Sequence, residues 1–193
     1  MEIDQQIYSE LLATGEFDFM DLEADEAEHS IEMHLAYIAK VMEGQHFTIV
    51  PVLVGSLNAA REAVYGQIFA RYLLQPDNLF VVSSDFCHWG SRFGFQFYRR
   101  TWGEIHECIR RLDHMGMDLI ESRKADDFKA YLREYGNTIC GRHPISLLLN
   151  AMQEVAKHAP NQELKFLRYA QSDACKSSSD SSVSYASASL TIN

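Results

Sequence analysis

The apolar positions repeat with helical spacing from residue 3 to residue 13 and stop at Gly15, which predicts a short first helix. The acidic stretch from Glu16 to Glu28 reads as a loop leading into a second helix, and Asp25 with Glu28 three positions later has the spacing of a capping box. Ile31, His34, Leu35, Ile38 and Met42 then recur on one helical face. That face must pack inward, so His34 is expected to be a hydrogen-bonded core residue. FTIVPVLVG, residues 47–55, is continuous rather than alternating, as expected of a strand covered on both sides. A helix over 58–74 and a second continuous run, Asn78 to Ser83, follow it. Strand, helix, strand is the order of a right-handed parallel crossover, and it predicts an α/β fold with a mixed, largely parallel central sheet flanked by helices.

Further along, the pattern predicts a helix over 96–122 with Gly116 as a weak point, and another over 125–135. Pro144 stands where a first-turn proline belongs and opens a helix to about residue 158. Leu164 to Ala170 reads as a strand, and a strand-like pattern resumes through Val183, Tyr185, Leu190 and Ile192 after the serine cluster Ser177 to Ser182. There is no internal repeat, and a length of 193 residues suits a single domain.

Charge narrows the partners. With 17 Lys plus Arg against 27 Asp plus Glu, the net charge of -10 repels phosphate backbones and anionic lipid, so nucleic acid and membrane surfaces are not expected partners. No window has the unbroken apolar length of a membrane span, and the start has no signal-peptide pattern, so a cytoplasmic location is expected. Cys87, Cys108, Cys140 and Cys175 are widely spaced without a CxxC pair, which fits reduced thiols; Cys108 and Cys175 are expected to be buried.

Three segments could carry chemistry. Ser83 to Gly90 (SSDFCHWG) follows an apolar run, where open α/β sheets place their ligand sites. Asp85 and His88, three apart on a turn, can converge on a metal ion, or the carboxylate can orient the imidazole as a base. Equally, Asp85 can cap the following turn and His88 can be a satisfied loop histidine. Asn137 to Pro144 (NTICGRHP) delivers Cys140, Arg142 and His143 just before a helix, whose positive end attracts a thiolate or another anion. Cys140 could ligate copper, zinc or iron while Arg142 and His143 hold an anion, although a structural cysteine and a capping histidine explain the same residues. Glu28 and His29 could act as an acid–base pair or anion contact at a helix start, and His29 and His34, five apart, do not make a zincin face. No Gly-rich phosphate loop or nucleophile elbow is present, which removes ATPase, dinucleotide-dehydrogenase and α/β-hydrolase readings.

Taken in order, EHSIEMHLAY, FTIVPVLVG, NLFVVSSDFCHWG, NTICGRHPISLLLNA and DSSVSYASASL resemble the Memo family, mediators of receptor-tyrosine-kinase-driven cell motility, across nearly the whole chain. The resemblance implies a fold similar to that of the class III extradiol dioxygenases, with Cys140 as a direct metal ligand and Asp85 and His88 lining the cleft. In the family two further histidines come from a segment ahead of the position matching Ile3, so the resemblance implies a domain over 1–193 that is incomplete at its N-terminus and holds half of the metal site. Ala36 stands where family members commonly carry proline, and alanine suits a helix interior better.

The same resemblance implies a cytosolic adaptor that binds phosphotyrosine-bearing receptor tails and passes motility signals to cytoskeletal proteins. Metal redox chemistry with iron or copper is the alternative; a cysteine in place of the usual carboxylate argues against ring cleavage and for no extradiol activity. A shortened form without function is a third reading.

Overall fold

The computed structural model covers all 193 residues, which divide into two compact units, Met1–Gly55 and Ser56–Asn193. In the first unit, β1 (Glu2–Ile3) pairs in parallel with β2 (Thr48–Ile49). Between them stand α1 (Gln5–Ala13), α2 (Leu22–Ala27) and α3 (Glu32–Val41). Asp4 caps α1 by accepting the Ile7 N–H at 2.9 Å, and Thr48 Oγ1 donates to its other carboxylate oxygen at 3.0 Å. The same side chain therefore starts the helix and pins the strand pair.

The capping box expected at Asp25 is not formed. Asp25 lies inside α2, which Asp21 caps through the Ala24 N–H at 2.8 Å. Glu28 instead caps α3: it accepts from the Ser30 hydroxyl and N–H and from the Ile31 N–H at 2.9 Å. An acid three residues ahead of the helix N-cap meets unpaired N–H groups, and these outcompete the local box. The face carrying Ile31, His34, Leu35, Ile38 and Met42 is only half-buried and supplies no core residue; His34 is hydrogen-bonded, its Nδ1 2.9 Å from the Ser30 carbonyl, but is not the core residue expected.

The second unit contains α4 (Ala59–Leu73), β3 (His88–Trp89), α5 (Ile105–Glu121), α6 (Ala125–Tyr135), α7 (Arg142–Val155), β4 (Gln162–Gln171) and β5 (Ser182–Ile192). β5 is the middle strand of an antiparallel sheet in the order β3-β5-β4, with a bulge between Phe166 and Arg168. The protein is thus mixed α/β, with seven helices and small sheets. The run from Asn78 to Ser83 is extended but joins no ladder, and only Thr48 and Ile49 of the run over 47–55 are paired. β-branched residues favour an extended chain, but a strand forms only where a neighbour offers its backbone groups.

Helix α5 is shorter than expected because its N-terminus is set by the Glu104–Glu107 capping box, after Gly103 at φ 99°. Gly116 is a close-packing position rather than a weak point: a Cβ there would lie 3.1 Å from the Tyr131 ring. Phe128, Ile109, Leu112, Leu149, Met152 and Trp89 form the centre of the core. Cys108 and Cys175 are buried as expected. No helix is long and apolar enough to cross a membrane.

Candidate functional site

The two candidate loops meet. Cys140 Sγ lies 3.1 Å from the Asp85 N–H, and the Gly141 N–H donates to Ser84 Oγ at 3.0 Å. Gly141 is required by the approach itself, since a Cβ would stand 2.6 Å from the Ser83 carbonyl oxygen and 2.4 Å from Ser84 Cβ. Thr138 completes the seam: its hydroxyl accepts from the His88 N–H at 2.8 Å and donates to the His88 carbonyl at 3.0 Å.

This seam fixes the His88 tautomer. Its Nδ1 lies 3.0 Å from the carbonyl oxygens of both Phe86 and Thr138, and since carbonyls only accept, Nδ1 must carry the proton. In the neutral ring Nε2 is then the basic nitrogen, 3.8 Å from Asp85 Oδ2. A ring held this way through its other nitrogen is the usual arrangement of a metal-binding or proton-accepting histidine.

Beneath the loops sits a buried polar network. The Asp113 carboxylate accepts the Cys87 N–H at 3.2 Å, the Asn137 amide at 3.0 Å and the Tyr169 hydroxyl at 2.8 Å. The Asn137 amide also donates to the Tyr131 hydroxyl at 2.8 Å. Burial pushes the Asp113 carboxyl above its ordinary range, against the bonds it accepts from Ser184, Asn137, Tyr169 and Cys87. Burial, reinforced by the Asp113 charge, also pushes the Tyr169 hydroxyl and the Cys87 thiol up, so both stay protonated. Cys87 is sealed from solvent, which leaves Cys140 as the exposed thiol.

Arg142 and His143 open α7. Arg142 is exposed, with one long bond to the Ile139 carbonyl at 3.4 Å. His143 Nδ1 lies 3.0 Å from Glu62 Oε1, and Lys129 Nζ lies 2.8 Å from the other oxygen of that buried carboxylate. Glu62 thus joins α4, α6 and α7 and holds His143 through Nδ1, leaving Nε2 open. Glu28 and His29 belong to the first unit, where both oxygens of Glu28 are bonded to the start of α3.

Asp85, His88 and Cys140 are neighbours, but no group of three His, Cys, Asp or Glu side chains stands close enough to hold a metal ion. The donor set of this chain alone therefore does not enclose one.

The pattern for Memo-like proteins matches residues 1–189. This chain belongs to the Memo-like family. It is 54% identical to the human and mouse proteins named Protein MEMO1 over 195 residues, covering 100% of this chain and 66% of each relative. It is 50% identical over 193 residues to Protein memo-1 homolog of Caenorhabditis elegans, covering 99% of this chain and 55% of that protein. This Memo-like chain spans about two thirds of the length of its vertebrate relatives.

Sequence reasoning found the two Memo-like loops but missed Glu62, Asp113 and Thr138. The signal for the first two was present: each is a carboxylate on the apolar face of a predicted helix, which is tolerated only with partners. Thr138 carried no such mark.

Proposed function

We propose that this chain works as a cytoplasmic Memo-like signalling adaptor in receptor-tyrosine-kinase-driven motility, binding phosphotyrosine peptides at the loop from Cys140 to His143 and relaying to cytoskeletal partners. The observation that carries the reading is an exposed Arg142 guanidinium at the start of α7, followed in sequence by His143, whose ring is anchored through Nδ1. A guanidinium fork, a second cationic donor and a helix N-terminus are the parts from which phosphate sites are assembled. Since Nδ1 is engaged by Glu62, His143 donates to a phosphate oxygen only through a protonated Nε2.

The test is a fluorescence-anisotropy titration of a phosphotyrosine peptide against the wild type and Arg142→Ala. A loss of about tenfold or more in the variant is expected. Equal affinity in the variant, or equal binding of the unphosphorylated peptide, sinks the reading.

A second reading, iron or copper bound by Cys140 with His88 and Asp85, is favoured by the His88 tautomer and opposed by the lack of a three-ligand cluster. Equilibrium dialysis against ferrous or cuprous ion, with Cys140→Ser as the control, decides it; equal uptake by the two chains rejects Cys140 as a ligand.

A further inference from the structure

A row of aromatic rings in the second unit ends in a cluster of unpaired arginines. Phe97 lies 5.7 Å from Trp102 and 5.8 Å from Tyr135, and Trp102 lies 6.2 Å from Tyr135. Two guanidinium groups stack on the same indole, Arg99 at 4.6 Å and Arg111 at 4.7 Å from the ring centroid. Arg100 and Arg110 stand close by in sequence, and all four arginines are exposed. None is in an ion pair, for the pairs of this chain lie elsewhere. Two acids stand at this surface: Glu107 has its carboxylate bonded to the Glu104 N–H at 2.8 Å, and Glu134 is hydrogen-bonded to Tyr135. Trp102, Glu107, Arg110, Arg111 and His114 line a shallow depression of about 420 Å³.

A guanidinium stacked on an indole is held by its flat face, so its edge of N–H donors stays free while its rotamers are already restricted. Such a fork is pre-organised for a carboxylate. The positive charges are gathered on a chain whose net charge is -10, so the local field is opposite in sign to the overall one. An extended polyanion or an anionic bilayer feels the whole molecule and is repelled. A short acidic segment lying on the patch feels charges within one screening length, and there the arginines dominate. The depression is open and shallow, which suits an extended chain better than an enclosed small molecule.

We propose that the Arg99–Trp102–Arg111 surface binds an acidic peptide segment of a partner protein, with Arg99 and Arg111 each taking a carboxylate and Arg100 and Arg110 flanking them. This goes beyond the phosphotyrosine reading and does not depend on it.

The experiment is an anisotropy titration of a fluorescein-labelled poly-glutamate peptide with the full chain, using polyglutamine as the neutral control. The double variant Arg99→Glu/Arg111→Glu is expected to lose about tenfold or more in affinity, and wild-type binding is expected to weaken steeply with salt. Arg142→Ala is expected to bind poly-glutamate like the wild type, which separates this surface from the loop at Cys140–His143. If the reversed pair does not melt cooperatively, Arg99→Lys/Arg111→Lys decides instead, with an expected loss of about threefold from the missing fork. Unchanged affinity in the variant so used, equal binding of polyglutamine, or a loss in Arg142→Ala as large as in the Arg99/Arg111 pair overturns the proposal. Tighter binding of duplex DNA or phosphatidylserine vesicles than of poly-glutamate overturns it as well, by assigning the patch to another class of partner.

Discussion

His88 donates its Nδ1–H to the Thr138 carbonyl 3.0 Å away, across fifty positions of sequence. With the two bonds through the Thr138 hydroxyl, this makes one residue responsible for the backbone and the ring of the other. Thr138→Val keeps the shape, removes both hydroxyl bonds and leaves the half-buried His88 N–H and carbonyl without them. The expected loss is about 2 kcal/mol in urea unfolding. Nitrogen-15 spectra of the ring should still report a proton on Nδ1, because the two carbonyls that hold it are untouched; a switch to Nε2–H would refute that assignment.

The Asp113 carboxylate ties the His88 loop to the Cys140 loop from below, through Cys87 on one side and Asn137 on the other. Asp113→Ala removes the acceptor shared by Cys87, Asn137, Tyr169 and Ser184 and is expected to cost about 3 kcal/mol or more. Asp113→Asn keeps the volume and one acceptor and should cost less. An alanine variant as stable as the wild type would show that the network contributes nothing to the native state.

At Gly141 the two loops touch through backbone, and Gly141→Ala forces them apart at Ser83 and Ser84. A loss of about 2 kcal/mol is expected from overpacking. Cys140 should also react faster with a thiol reagent, because the contact between its sulfur and the Asp85 N–H is pulled open. An unchanged labelling rate would contradict the seam.

The acid limb of the stability curve has a definite sign. Burial raises the Glu28 carboxyl, but the bonds from Ser30, Ile31 and Glu32 outweigh it and leave it below its ordinary value. Its contribution is therefore present above that value and lost as the pH falls through the folded-state value. Asp180, held by the Lys176 and Ser177 N–H groups, acts in the same direction. Asp113, raised by burial, acts in the opposite one: its contribution is present below 3.8 and lost as the pH rises through its folded value. Glu28→Gln is expected to flatten the acid limb while Asp113→Asn steepens it, as read from melting temperature against pH. A Glu28→Gln curve parallel to the wild type would remove the cap from the account.

The helices were legible because periodicity and caps act locally: α6 and the first turn of α7 fall where proline, glycine and the apolar spacing put them. The two loops were legible because their residue types are scarce and reactive. What joins the loops was not, since Thr138 opposite His88 and Ser84 beneath Gly141 are pairings between distant positions with no periodic trace. The run over 78–83 misled for a related reason. Its composition reports a willingness to extend, and pairing is a property of whatever lies beside it.

That run also governs how the protein behaves in a tube. Leu79 and Val81 point outward at 78% and 48% exposure, on a stretch whose N–H groups from Leu79 to Ser84 donate to no other backbone carbonyl. It is a bare, sticky hem that another copy can stitch itself to. At low ionic strength the charge of -10 holds molecules at arm's length, and salt shortens the reach of that repulsion from about 30 Å at 0.01 M to about 10 Å at 0.1 M. The protein should therefore stay clear in dilute buffer and cloud as salt is added.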